Sequence, residues 1–522
     1  MDAKNHLQKA INLDPNYAEA YYELGLIFKK EGEAEEASDL FQKAVSLKKD
    51  FAEAECELAI MLQHKNDLES SRNHFLNSLE INPNYANAYF HYGLLLIELE
   101  DIEEAKNNFD KVTEINQNYA PAYYNKAKLL INPDDFEEAK KNYETAIDID
   151  EDYVDAHYYL AKLYLGGVAT DKEGTIVDLK ETTKASYHLN KVIEINPKHH
   201  QAYYNLARIH SENNQPTKAE ADLRKSIELF PKYSKAHFLL AHVLEHKKNT
   251  AEAKKHFLLS IDYFSENSMA HFRLAVINYR AGELESSLEH LKKANKINPN
   301  HPETHYYLAM ILRSDDDPSL AKKHFYKALE LNPEYSQAYF ELGNHSVNNG
   351  DFNEAKLHFQ KATDIDQNFI LAYFHLGKIL NNPSEYDQAY RNYETALEIE
   401  PDLADCHYWF AKLLIGGEKL KSDGSLIKEP EAAKAKEHLK RAIEISKSFA
   451  KAYFKLGLIL FEENKYKEAM KNFELAIKYD SNFAEAHFQV ALLLMNEDAV
   501  KALQPNNQSR TSRGRKIKKK IN

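Results

Sequence analysis

Apolar and polar positions follow a helical beat along this chain, and the beat itself recurs every 34 residues. Aligned on the segment from Ala18 to Gly25 (AEAYYELG), the pattern returns at Ala52, Ala86, Ala120, Val154, His200, Ser234, Ser268, Pro302, Ser336, Ile370, Ala404, Ala450 and Ala484, the step being 34 residues except twice, where it is 46. Positions 4, 7, 8 and 11 of each unit share one face of a first helix, and positions 20, 24 and 27 share one face of a second. Position 8 is Gly or Ala in all fourteen units, position 20 is Ala or Ser in the thirteen that reach it, and position 24 is Phe, Tyr or Leu throughout. Small residues at 8 and 20 let the two helices approach, and the large ones fill the space beside them. Seven helix pairs close on Pro (Pro15, Pro83, Pro197, Pro231, Pro299, Pro333 and Pro401), which cannot continue a helix. One such pair leaves an apolar side that only its neighbours cover, so the pattern predicts a stack.

These residues resemble the tetratricopeptide repeat, which has a bulky residue at position 4, Leu at 7, a small residue at 8, a bulky one at 11, Ala at 20, an aromatic at 24, Ala at 27 and often Pro at 32. The resemblance implies an all-α, right-handed superhelical solenoid of about fourteen units. It also implies a non-catalytic protein–protein interaction scaffold or adaptor, holding peptide or protein partners in a concave groove. The alternative is a non-catalytic, substrate-recruiting arm of a larger enzyme or complex, the chain being a fragment. Ala3, Leu7, Ala10 and Pro15 match positions 20, 24, 27 and 32. Residues 1–17 therefore read as a partial repeat (second helix only) or an N-terminal cap, 18–498 as the array and 499–522 as a basic disordered tail.

A longer period lies inside the short one. Both 46-residue steps come from 12-residue insertions between the first and second helix of a unit, near 166–184 and 416–434, and they lie 250 residues apart. Their surroundings match: Ala161 to Gly167 (AKLYLGG) echoes Ala411 to Gly417 (AKLLIGG), and Asn132-Pro133 pairs with Asn382-Pro383. The simplest account is a duplicated seven-repeat block. Within each insertion an acidic residue and a glycine (Glu173-Gly174, Asp423-Gly424) separate short β-prone stretches, which predicts a small projecting hairpin.

Composition narrows the function classes. The chain has 15 Gly and 15 Pro in 522 residues, few for phosphate-cradling or irregular enzyme loops. No P-loop, dinucleotide fingerprint, nucleophile elbow or zincin motif appears. Cys56 and Cys406 are the only cysteines, so neither a disulfide framework nor a cysteine-based zinc site is expected. No run of 18 apolar residues occurs, which predicts no membrane span. With no signal-peptide pattern at Met1, the expected location is cytoplasmic. The net charge of −14 disfavours nucleic acid as a partner. Seven basic residues (Arg510, Arg513, Arg515, Lys516, Lys518, Lys519 and Lys520) collect in the tail, where they match a nuclear-import signal or a charged end without a role. No cofactor and no metal are expected.

The resemblance places positions 2, 5, 9 and 12 of the first helix along the groove. Position 5 is aromatic in thirteen of fourteen units, and position 9 is basic in two clusters, Lys128, Lys162 and Arg208, then Lys378 and Lys412. Rings at position 5 also pack against the neighbouring helix, and lysines also simply face water. The expected partner-binding residues are Tyr124, Lys128, Tyr158, Lys162, Tyr204, Arg208, Phe374, Lys378, Tyr408 and Lys412, taking a protein or peptide of acidic character. The lysine–asparagine carboxylate clamp of chaperone-tail binders is absent, because position 5 is aromatic. The position-6 asparagine ladder of O-linked N-acetylglucosamine transferase is absent too (Glu23, Glu57, His91, Asn125, Tyr159). Histidines recur at position 4 (His157, His237, His271, His305, His407, His487) and position 23 (His74, His188, His256, His290, His324, His358, His438). A repeated position argues for structure rather than for a singular catalytic centre. His242 and His246, at i and i+4, form the pair most like a metal site, with no third ligand in the pattern.

Overall fold

The computed structural model describes residues 2–166, 168–170, 176–178, 180–313, 318–420, 426–428, 430–495 and 501. All fourteen first helices begin at the residues the periodicity marks, from Ala18–Glu31 and Ala52–His64 to Ala450–Glu462 and Ala484–Met495. Thirteen second helices of 14 residues each follow them, from Ala34–Leu47 to Tyr466–Tyr479, and Asp2–Leu13 precedes the first full pair. The described residues divide into two compact units, one up to Ala270 and one from His271. Each unit is a row of antiparallel helix pairs, and each helix packs on its neighbours in sequence.

The core of a pair is the meeting of positions 8, 20 and 24. Ala37, Phe41, Ala105, Phe109, Ala355, Phe359, Ala469 and Phe473 are fully buried. Where position 20 is serine its hydroxyl donates across the pair, from Ser71 to the Ala59 carbonyl at 2.7 Å and from Ser287 to that of Ala275 at 2.8 Å, so a buried polar group keeps its partner.

Two repeats depart from this plan at corresponding places. The first helices Ala120–Leu129 and Ile370–Ile379 stop early, and short 3-10 turns, Pro133–Asp135 and Pro383–Glu385, lead into the second helix. Proline explains the break: it has no N–H to donate and restricts the residue before it. In the next repeat the insertions form two antiparallel hairpins. β1 (Val168–Thr170) pairs with β2 (Ile176–Asp178), and β3 (Glu418–Leu420) with β4 (Leu426–Lys428). β1 lies beside the turn Pro133–Asp135, and β3 beside Pro383–Glu385. After each hairpin the chain returns to the helix it left, with the Glu181 N–H donating to the Tyr164 carbonyl and that of Glu431 to Leu414, both at 3.0 Å. The turn residues 173–174 and 423–424, and the tail 499–522 apart from residue 501, lie outside the described residues.

Candidate partner-binding face

The rings at position 5 are seams between repeats. Each leans on the residue just before the next first helix: Tyr124 on Tyr153 (5.2 Å between ring centres), Tyr158 on His199 (4.7 Å), Tyr204 on Tyr233 (5.2 Å) and Tyr408 on Phe449 (5.2 Å). Tyr124 and Phe374 are buried, whereas Tyr158, Tyr204 and Tyr408 are half-buried and keep one edge at the surface. Burial pushes the hydroxyls of Tyr158, Tyr204 and Tyr408 above their ordinary pKa. They are therefore neutral donors and acceptors at physiological pH.

The basic residues at position 9 are in different surroundings. Lys128, Lys162, Lys378 and Lys412 are exposed and Arg208 is half-exposed. Elsewhere on this face cations meet carboxylates of the next repeat, as Lys29 does with Glu57 at 2.5 Å and Arg313 with Glu341. Lys128 and Lys162 instead flank one ring, Tyr159, with Nζ 5.5 and 4.9 Å from its centre. Lys378 and Lys412 flank Trp409 in the same way, at 4.9 and 4.5 Å. A quadrupolar ring face attracts a cation but does not cancel its charge, so each pair presents two positive groups over an aromatic floor. At the second cluster a cavity of about 280 Å³ opens beside Trp409, Tyr393, Lys378 and Lys412, with Glu418 also on its wall.

Tyr159 and Trp409 were not among the residues singled out by position. Both sit at position 6, in the two units that carry the insertions, 250 residues apart, and Trp409 is the only tryptophan of the chain. That coincidence is the signal available in the sequence.

The histidines at positions 4 and 23 meet in pairs. Nδ1 to Nδ1 distances are 2.9 Å for His157–His188, His237–His256 and His271–His290, 3.0 Å for His305–His324 and 2.8 Å for His407–His438. In four of these pairs Nε2 of the position-4 ring donates to a backbone carbonyl, of Glu151, Pro231, Pro299 or Pro401. A carbonyl only accepts, so the proton of that ring is on Nε2 and its Nδ1 accepts from the partner's Nδ1–H. Among the described residues no group of three or more His, Cys, Asp or Glu is arranged to hold a metal ion.

Family models described as "TPR repeat" match residues 2–32, 134–166 and 457–497. Others described as "Tetratricopeptide repeat" match 18–51, 74–107, 188–221, 251–302, 302–335, 336–369 and 370–403. The chain belongs to the tetratricopeptide repeat family. No curated protein matches it. Solved structures similar to this tetratricopeptide array include YrrB, titled a TPR protein with an unusual peptide-binding site (25% identity, 36% of this chain and 97% of that one, TM-score 0.33). The Cut9–Hcn1 hetero-tetramer of APC/C is similar at 15% identity over 94% of this chain and 92% of that one (TM-score 0.37). Yeast Tom70 is similar at 16% identity over 96% and 99% (TM-score 0.32). No described helix of the tetratricopeptide array is long and apolar enough to cross a membrane.

Proposed function

We propose that this protein is an interaction scaffold that takes an acidic segment of a partner protein on the exposed face of its first helices. The residues assigned are Tyr124, Lys128, Tyr158, Lys162, Tyr204 and Arg208 in the first unit, with Phe374, Lys378, Tyr408 and Lys412 in the second. The observation that carries this reading is the lysine–aromatic–lysine cluster, built twice: Lys128 and Lys162 about Tyr159, Lys378 and Lys412 about Trp409. Among the described residues none of these lysines has a carboxylate within salt-bridge distance, and in a chain of net charge −14 such positive pairs favour a partner carboxylate. The half-buried rings beside them supply apolar contact at little entropic cost. No reaction is assigned to these residues.

Trp409 makes the reading testable. A glutamate-rich peptide added to the intact chain is expected to shift Trp409 emission, with affinity falling as salt rises. The K378E/K412E variant is expected to bind at least about tenfold more weakly, since each lost charge-assisted contact costs about 1.5–3 kcal/mol. In parallel, partners captured by the wild-type chain are compared with those of a variant carrying charge reversals at Lys128, Lys162, Arg208, Lys378 and Lys412. An unchanged set of partners together with unmoved Trp409 emission would sink the proposal.

A further inference from the structure

In the first unit a second cavity lies one repeat beyond the Tyr159 cluster, between the helices Val154–Gly166, His200–Glu212 and Ser234–His246. Its volume is about 440 Å³, and Lys162, Arg208 and Lys235 line it together with Tyr158, Tyr204 and Tyr233. None of the three cations has a carboxylate within salt-bridge reach among the described residues, and no described carboxylate lines the cavity. Arg208 is held in place instead by a neutral relay: its guanidinium donates to Asn205 Oδ1 at 3.5 Å, and Asn205 Nδ2 donates to the Tyr158 hydroxyl at 3.3 Å. Asn205 is itself buried, with 6% of its surface exposed.

We infer that this cavity receives a phosphoryl group carried by a phosphorylated side chain of the bound partner segment, an inference that rests on the scaffold reading above. Three cations, two side-chain amides (Gln201 and Asn205) and three tyrosines make a lining that is rich in donors and carries no described negative charge. A single carboxylate neutralises one of those cations. A phosphate monoester, with a charge of about −1.5 to −2 near pH 7 and three acceptor oxygens, engages more of the donors at once. Arg208 supplies the forked guanidinium that suits a tetrahedral oxyanion.

The duplicated block supplies an internal contrast. At the positions 250 residues further on, Leu458 stands for Arg208, Glu485 for Lys235, Phe483 for Tyr233 and Lys455 for Asn205. Leu458 removes the guanidinium and Glu485 brings in a carboxylate, so the equivalent place in the second unit is not a phosphoryl site. The two clusters of the scaffold therefore read different chemistry, a carboxylate at Trp409 and a phosphoryl group at Arg208.

The test uses the intact chain and two probes, N-acetyl-O-phosphoserine amide and inorganic phosphate, followed by phosphorus NMR, with N-acetylglutamate amide as a calorimetric competitor. The phosphoserine derivative is expected to bind at least about tenfold more tightly than the glutamate derivative. That advantage is expected to fade as pH falls through about 6, where the monoester gains its second proton. R208L and K235E, which install the residues of the second block, are each expected to abolish the preference. Lys235 is on the surface, so K235E reports even where R208L disturbs its helix. Equal binding of phosphoserine and glutamate derivatives, or a preference that survives both substitutions, overturns the inference. Inorganic phosphate binding as tightly as the phosphoserine derivative overturns the assignment to a peptide. Should the phosphoserine preference be missing while glutamate-rich peptides still move Trp409, only this inference falls; loss of both responses removes the scaffold reading with it.

Discussion

At the scale of single residues, the spacing of each helix pair is set by what stands at positions 8 and 24. A Cβ built on Gly343 would lie 2.5 Å from Phe359 Cε1, and one on Gly25, Gly93 or Gly457 would lie 2.7, 2.8 or 2.6 Å from the ring of Phe41, Phe109 or Phe473. The four repeats with Leu at position 24 (Leu189, Leu223, Leu291, Leu439) all carry Ala at position 8 (Ala161, Ala207, Ala275, Ala411). Gly343→Ala is therefore expected to destabilise the protein by about 1–3 kcal/mol through overpacking. Adding Phe359→Leu installs the Ala–Leu combination of those four repeats, whereas Ala59, Ala127, Ala241 and Ala309 stand opposite an aromatic (Phe75, Tyr143, Phe257, Phe325). The double variant is expected to lose less than the two single losses added together, by about 0.5 kcal/mol or more. Urea titrations of the two single variants and the double variant measure this coupling, and strict additivity would refute the account.

At the scale of the helix pair, the couples His157–His188, His237–His256 and His407–His438, together with His324, make stability depend on acid. Burial holds the pKa of His157, His237, His324 and His407 below the ordinary value, and lowers those of His188, His256 and His438 to about 4. The unfolded chain, with histidines near 6.5, binds more protons than the folded one between those values. The stabilisation is thus complete above about pH 6.5 and is lost as pH falls toward 4. Doubly protonated pairs also set two N–H groups face to face across the helix interface. Repeats with Asn at position 23 (Asn108, Asn142, Asn392, Asn472) all have Tyr at position 4 (Tyr89, Tyr123, Tyr373, Tyr453). All four of those asparagines bond back along their own helix, as Asn142 does to the Glu138 carbonyl at 2.8 Å. Replacing His237–His256 and His407–His438 by Tyr–Asn pairs is expected to flatten the fall of melting temperature between pH 6.5 and 4. Thermal melts across that range decide it, and an unchanged slope would show that other groups carry the acid response.

At the scale of the whole molecule, contacts pass from each helix to its immediate neighbours, so stability is a sum of repeats and the seams between them. Leu58→Ala removes a side chain that is 1% exposed, at an expected cost of about 2–5 kcal/mol. Hydrogen exchange is expected to quicken in Ala34–Leu47, Ala52–His64, Leu68–Ile81 and Ala86–Glu98. The helices Ser234–His246 and Thr250–Tyr263 of the same unit should keep their protection. Uniform loss across the unit would mean that it unfolds as one cooperative block.

The sequence by itself determined the repeat, because a 34-residue beat of small and large residues is a local property of every helix face. It marked the start of all fourteen first helices and both insertions, since a helix boundary depends on nearby residues and on proline. It also carries the histidines at positions 4 and 23, which fall together in five of the units, and glycine at position 8 opposite an aromatic at position 24. What it left open was which side chains touch. Only the packed structure joined His157 to His188, placed Tyr159 and Trp409 between lysines, and turned the position-5 rings inward as seams. Contacts between residues 30 or more apart depend on the angle and distance at which whole helices meet, and that geometry is settled by the sum of the packing rather than by any one segment.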